Sequence, residues 1–380
     1  MTGIPTSPSA HSLADVMPSI AASLGVSVRN PLAVPPTRDA VLVLVDGLGA
    51  ELIRQHAGDA PTLAAMTTRM ISAGFPATTA TSLTSLAVGA PCSRHGIVGY
   101  SFRISDADGP ATTFNSLRWT LGSADGPSAL DRFPPREIQQ HPSVLELLAE
   151  DGVDLTYVMR EDFRESGLTR AAFRAEGDYR AANSLEEIRR GILDAVGQRS
   201  RARRFVYSYF GDLDLIGHLH GPGSPQWLQS LREVDAFVAD LSTDLPRDCA
   251  LMVTADHGMV TAETVLDLDA SPALLADVEA VAGEARVRHA YARAGAEHTV
   301  LAAWREELAD HARVLSREQA LDEQLFGPDR EHAHRIGDVI AIATGGVVLT
   351  RSKNEQLESS LLGHHGANTA AEQHIPLILR

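Results

Sequence analysis

The chain is short of cysteine, of positive charge and of long apolar runs, and each shortage removes a class of protein. Cys92 and Cys249 are the only cysteines in 380 residues, so there is no disulfide framework and no CxxC metal spacing, and a reducing compartment is expected. Nowhere do about 18 apolar residues follow one another as a membrane span requires. The opening stretch "MTGIPTSPSAHSLADVMPSI" lacks a basic start followed by a continuous apolar segment, and a cytoplasmic protein with no membrane partner is expected. Lys and Arg total 33 against 49 Asp and Glu, a formal charge of −16 that repels nucleic acid and anionic lipid alike. The one basic patch, "RSRARRF" (199–205), follows a helical pattern, where charge runs are usually solvated or complement the helix end. "DGLGAE" is not GxGxxG, so a dinucleotide-binding turn is absent as well.

What is present is an alternation. An apolar content of 44% suits a large buried core. "AVLVLVDG" (40–47), "RFVYSYFGDLD" (204–214) and "CALMVTADHG" (249–258) are short apolar runs ending in acid and glycine, the pattern of strands buried on both faces. Between them "SLADVMPSIAASLG" (12–25), "SVLELLAED" (143–151) and "SLEEIRRGILDAVG" (184–197) place apolar residues at three- and four-residue spacing. The expected fold is α/β, a doubly wound and mostly parallel sheet flanked by helices, forming one catalytic domain over residues 1–380. Residues of about 100–200 and 262–342 fit the alternation less well and are expected to be insertions forming a cap. "HIPLILR" at the C-terminus reads as a returning core strand.

Three strand ends carry acids: Asp46, Asp214 and Asp256. Ligands of open α/β sheets bind beyond the carboxyl ends of the strands, where these acids can converge. Three carboxylates in a low-dielectric crevice repel one another unless a cation of charge two or more joins them. Histidines accompany them. Asp214 and His218 are four apart and share a helix face, His257 adjoins Asp256, and "GHHGAN" offers His364 and His365. Imidazole and carboxylate without thiolate suit zinc and tolerate manganese or iron. "GFPATTATSLTSLAVG" supplies Thr78, Thr79, Thr81 and Ser82 at a helix start, where a hydroxyl can cap the helix or attack a phosphate resting on the free N–H groups.

With these residues in view, "LVLVDGLG", "FPATTATSLTSLAVGAPCSRHGI", "GDLDLIGHLHGPGS", "MVTADHGM" and "GHHGANTAAEQHIPLIL" together resemble the alkaline phosphatase superfamily, in its type I phosphodiesterase/nucleotide pyrophosphatase branch. The resemblance implies two divalent ions, expected to be zinc with manganese as the alternative. One would be held by Asp46, Thr79, Asp256 and His257, the other by Asp214, His218 and His365. It implies Thr79 as nucleophile, passing through a phosphothreonine, and a small phosphorylated substrate such as a nucleotide. Eukaryotic-type members carry Lys before the nucleophile and Asn three residues after it, where this chain has Thr78 and Ser82. Ser82 and, from the cap, Asn115 are therefore the candidates for binding phosphate oxygens. A phosphomonoesterase, phosphonate hydrolase or phosphomutase would use the same cage with an added cation, for which Arg160 and Arg164 are candidates. A metal-binding protein without turnover is a further class. Cys92 follows rather than occupies the nucleophile position, which disfavours a sulfatase and leaves it a small buried residue.

Overall fold

The structure, a computed structural model, describes residues 10–380 apart from 107–109, 199 and 201. At its centre is a seven-stranded sheet in the order Arg69–Ser72, His374–Leu379, Cys249–Thr254, Asp39–Val45, Arg204–Phe210, Asp154–Met159 and Asp178–Ala181. The five strands from Cys249–Thr254 onward run parallel, and His374–Leu379 is antiparallel to both its neighbours. All seven residues of "DAVLVLV" are buried, because helices cover both faces of a central parallel strand.

Register positions the site. Val45 pairs with Phe210 and Leu44 with Thr254, so the three central strands end at one level. The residues that follow, Asp46, Gly211 to Asp214, and Ala255 to His257, therefore leave the sheet at one edge. The helices form where the spacing predicts them. Leu185–Gly197 buries Ile188, Ile192, Ala195 and Val196 on one face, and Ser184 caps it by accepting the Glu187 N–H.

The expected cap over 100–200 is corrected by the structure. A small three-stranded sheet, Ser101–Ile104, Thr112–Asn115 and Thr120–Leu121, does lie outside the core sheet. Asp154–Met159 and Asp178–Ala181, however, complete the edge of the central sheet, with the helices Val144–Glu150 and Leu185–Gly197 packed beside them. The misreading arose because an edge strand is only half covered. Asp178–Ala181 has no buried residue and so lacks an apolar signature.

The second insertion carries a four-stranded antiparallel sheet, Val278–Glu284, Val287–Ala292, Val339–Ala343 and Ala312–Ser316 in that spatial order. Its own apolar cluster gathers around Trp304, which is fully buried. Thr264–Asp267 pairs in parallel with Val347–Thr350, so this unit reaches past the expected boundary at 342.

Of the basic patch, Arg199 and Arg201 lie outside the described residues. Arg203 pairs with Asp151 at 2.9 Å and Arg204 forks onto Asp39 at 2.7 and 3.0 Å, so both are engaged in the fold. Among the described residues no helix is long and apolar enough to cross a membrane.

Candidate metal centre and nucleophile

Asp46 and Asp256 emerge from adjacent parallel strands, and each has one oxygen fixed and one oxygen bare. Asp46 Oδ2 accepts the Tyr209 hydroxyl, and Asp256 Oδ1 accepts the N–H groups of Gly47 at 3.2 Å and His257 at 3.1 Å. Asp46 Oδ1 and Asp256 Oδ2 are buried with no hydrogen-bond partner. Both point at His257 Nε2, at 3.3 and 3.4 Å. That nitrogen is a free lone pair, since His257 Nδ1 donates to the Gly258 carbonyl at 3.1 Å.

Thr79 Oγ1 lies 3.2 Å from the same nitrogen. The three oxygens thus stand about 3.3 Å from one nitrogen, the donor–donor spacing of a tetrahedral site with ligands about 2.0 Å from a zinc ion. The donor set, the spacing and the two orphaned oxygens all fit a zinc-class ion.

Beside this group stands a second. His218 Nε2 is 3.2 Å from Asp214 Oδ2 and 3.2 Å from His365 Nε2. His218 Nδ1 donates to the Gly363 carbonyl at 2.7 Å and His365 Nδ1 to the Ala77 carbonyl at 3.0 Å, so both Nε2 lone pairs face inward. Asp214 Oδ1 is buried and unpartnered. Ligand atoms of Asp46, Asp214 and His257 also lie within 4.8 Å of one another, and the rings of His257 and His365 stack at 3.5 Å, so the two groups adjoin. His364, the alternative to His365, turns its Nε2 to the Leu361 carbonyl.

The electrostatics show what these residues lack on their own. Burial, then Asp256 and Asp214, push Asp46 well above the usual carboxylate range, and burial followed by Asp214 raises Asp256. Burial would raise Asp214 too, but His218, His365 and His257 outweigh it and hold it low. Asp214 in turn overcomes the burial of His218 and lifts it to about 9. A buried cation is therefore needed for all three acids to be ionised together.

Two glycines set the backbone. Gly47 adopts φ of 72°, and a Cβ there would sit 3.0 Å from Asp214 Cβ. Gly258 is required by close approach: a Cβ would lie 2.0 Å from the Ala371 carbonyl oxygen. Its φ is not in the left-handed region, so the requirement at Gly258 is one of packing.

The hydroxyls at the helix Thr79–Val88 divide their work. Thr78 is the N-cap residue, yet its side chain caps nothing and instead faces Glu284, whose carboxyl is pushed up to about 8 by burial, a rise that Thr78 moderates. Thr79 is the first helical residue, Thr81 donates to the Ile97 carbonyl, and Ser82 is buried with Oγ unpartnered. Asn115 is not brought to the constellation. Its Oδ1 accepts the Arg118 N–H at 2.8 Å, and it lines a separate cavity of about 220 Å³ with Tyr100, Arg351 and Glu358, which none of the seven ligand candidates lines. It ends a strand paired to Ser101, and that pairing turns it toward Tyr100.

Arg160 and Arg164 are neutralised locally by Asp162 and Glu161, at 3.2 and 3.4 Å. Cys92 is a buried free thiol, pushed up by burial, as a small packing residue would be. Sequence reasoning missed Tyr209 and Glu284. Tyr209 reads as one more strand residue, and Glu284 arrives from the inserted sheet with no linear signal.

A family model described as Type I phosphodiesterase / nucleotide pyrophosphatase matches residues 40–368. The chain belongs to this family. Human ectonucleotide pyrophosphatase/phosphodiesterase family member 7 is 38% identical over 63 residues, covering 15% of this chain and 14% of that protein. The catalytic subunit of human GPI ethanolamine phosphate transferase 3 is 24% identical over 165 residues, 41% of this chain and 15% of that protein. The chain thus spans about a seventh of the length of the curated relatives it matches.

Solved structures of the phosphodiesterase type match far more of it. Murine ectonucleotide pyrophosphatase / phosphodiesterase 5 superposes with a TM-score of 0.68 at 18% identity, covering 89% of this chain and 87% of that one. An inactive threonine-to-alanine form of that murine protein was solved in complex with AMP. Phosphonoacetate hydrolase from Sinorhizobium meliloti 1021, in complex with phosphonoformate, gives 0.67 at 19% identity, with 93% and 92% covered. At such identities these likenesses establish the fold, the mostly parallel α/β sheet flanked by helices.

Proposed function

We propose that the protein is a metal-dependent phosphoryl-transfer hydrolase that cleaves phosphodiester or phosphoanhydride bonds of small phosphorylated compounds, nucleotides among them, with Thr79 as nucleophile. One observation carries the reading: Thr79 Oγ1, at the start of a ten-residue helix, meets His257 Nε2 at 3.2 Å beside the bare oxygens of Asp46 and Asp256. Asp46, Thr79, Asp256 and His257 would hold one divalent ion and Asp214, His218 and His365 the other, zinc being the expected metal. When bound, such a pair supplies Lewis acidity that favours the ionised hydroxyl and offsets phosphate charge.

The chain's own groups do the rest. The first-turn N–H groups of Thr79–Val88 have no helical acceptors and are placed to hold phosphoryl oxygens. Ser82 Oγ, buried and unpartnered one turn on, is a further donor for the same purpose. The Thr79 hydroxyl gives up its proton to solvent and its oxygen bonds to phosphorus as the bond to the leaving group breaks, the departing oxygen taking up a proton from solvent, which gives a phosphothreonine. Water then attacks that phosphorus, the Thr79 oxygen leaves and takes up a proton, and the hydroxyl is restored.

A diester or anhydride is favoured over a terminal monoester by the state of the arginines. Arg160 and Arg164, the expected extra cations, are already paired with Asp162 and Glu161, and a diester needs no further cation. The AMP complex of the murine protein supports a nucleotide as substrate. The cytoplasmic placement stays part of this proposal, supported by two buried free thiols.

The test is metal content together with hydrolysis of bis(p-nitrophenyl) phosphate and p-nitrophenyl phosphate, for wild type and Thr79→Ala. The expectation is diester preference, about two zinc per chain, and at least about a thousandfold loss of turnover in the variant with its metal retained. Full turnover by metal-loaded Thr79→Ala would overturn the nucleophile. Monoester preference would point to a phosphatase, phosphonate hydrolase or mutase, and metal without turnover to a binding protein.

A further inference from the structure

A third set of metal-binding side chains stands apart from the two described above. Ligand atoms of His141, Glu331 and His332 all lie within 4.8 Å of one another, and the set shares no residue with the Asp/His constellation. We propose that His141, Glu331 and His332 form a third divalent-cation site of the zinc class, one that ties the inserted segment to the loop ahead of the helix Val144–Glu150.

The ring of His332 is oriented as a metal-binding imidazole is. Its Nε2 donates to the Arg94 carbonyl at 3.2 Å, which leaves the Nδ1 lone pair free for a cation. The ring lies on Gly96, where a Cβ would come within 2.9 Å of His332 Cγ. Gly96 has φ of 78°, so both its backbone and its bare face are used to seat the histidine. Burial and the nearby Arg335 hold His332 down at about 4, which keeps the ring neutral and able to coordinate.

The partner loop is fixed from the other side. The His141 carbonyl accepts Gln139 Nε2 and Arg174 Nη1, both at 2.8 Å, and Pro142 restricts the next bond. Arg335 bridges the two halves by donating to the carbonyls of Gly96 at 2.8 Å and Ile138 at 3.1 Å. The backbones that carry the three donors are therefore held before any ion arrives.

Charge and chemistry select the ion. Arg335 opposes a cation, and the Glu331 carboxylate offsets it. Two imidazoles and one carboxylate without thiolate are a zinc-type set, not a calcium set. Tetrahedral coordination needs donors about 3.4 Å apart, so the three side chains draw together by no more than about 1.5 Å when an ion binds and leave a fourth position to water. The consequence is structural. His141 and His332 are near enough to bear electrostatically on the buried His95, whose Nε2 meets Ser85 Oγ at 2.9 Å near the far end of the helix that begins at Thr79.

The experiment is equilibrium dialysis of untagged full-length protein against excess zinc chloride, followed by elemental analysis. His141→Ala and the double variant His141→Ala/His332→Ala are run beside the wild type. The expected result is about one zinc fewer per chain in each variant, with hydrolysis of bis(p-nitrophenyl) phosphate retained as proof of folding. Equal zinc in wild type and variants overturns the site. Should the double variant fail to fold because His332 packs on Gly96, His141→Ala alone decides. As a second readout, cobalt loaded in place of zinc should lose about one third of its visible absorbance in that variant, and an unchanged spectrum would also overturn it.

Discussion

His218 Nε2 and His365 Nε2 face each other at 3.2 Å while the second nitrogen of each ring donates to a main-chain carbonyl. Two inward lone pairs beside Asp214 stay together only with a positive charge between them, supplied by a proton or a metal. Removing metal should therefore destabilise the fold. A site held at about a hundred times its Kd contributes about 2.7 kcal/mol. For a chain of this size that is about 3 °C in Tm per site. Dialysis against a chelator should lower Tm by at least about 5 °C in a scan, and added zinc should restore it. Equal melting of the treated and untreated protein would contradict the metal reading of the cage.

Tyr209 holds Asp46 so that Oδ1, not Oδ2, faces the cage. Tyr209→Phe keeps the ring and removes the donor, leaving Asp46 Oδ2 buried and unpaired. A loss of about 1–3 kcal/mol in stability is expected, with zinc affinity down about 10–100-fold as for other supports of metal ligands. Competition against a chromophoric chelator measures the second effect. Turnover should recover at saturating zinc, because no reacting group has been removed.

Much of this site was legible in the sequence because a buried parallel strand leaves a clear trace. An apolar run such as "VLVLV" ending in an acid announces both the strand and its carboxyl edge, which is how Asp46 and Asp256 stand out. His218 was legible through helical spacing to Asp214. Contacts made across large sequence separations leave no such trace. Glu284 reaches Thr78 from the inserted sheet, and Asn115, chosen for its amide, is claimed by Arg118 and Tyr100. The edge strand Asp178–Ala181, exposed at both ends and only half-buried between, carries no apolar pattern and so resembles a cap segment in the sequence.

His289, in the inserted sheet, gives a pH signature independent of the cage. Burial, with Arg317 and Arg288 nearby, pushes it down to about 3, and its Nε2 is buried without a partner. The unfolded chain takes up this proton near pH 6.5. Between about 3 and 6.5 the unfolded state therefore binds more protons, and stability rises with pH through that window, complete above it and lost as pH falls. The slope from this one group is at most about 1.4 kcal/mol per pH unit. His289→Gln removes it. In urea unfolding of chelator-treated protein at pH 6.5 and 4.5, the stability gap between wild type and variant should narrow by up to about 2 kcal/mol at the lower pH. A gap that stays constant would show that His289 is not held neutral.

Arg286 and Glu372 form a fully buried bidentate pair, with nitrogen–oxygen distances of 2.9 and 2.8 Å, that joins the inserted sheet to the loop bearing His365. Glu372 does more than neutralise a charge. Its Oε1 accepts the Ala367 N–H two residues after His365, its Oε2 accepts the Thr369 hydroxyl, and its main-chain carbonyl accepts the Gly258 N–H next to His257. Glu372→Ala leaves Arg286 charged in the interior, for which about 3–5 kcal/mol of destabilisation is expected. Breaking the exposed pair Arg330–Glu318, whose side chains are 53% and 70% exposed, should leave the denaturation midpoint essentially unchanged. The double variant Arg286→Met/Glu372→Leu removes the stranded charge and should recover most of the loss in chemical denaturation. It should not recover zinc affinity, because neither side chain can then hold the Ala367 N–H beside His365. Recovery of both together would mean that the pair acts only through charge and that the His365 loop needs no anchor.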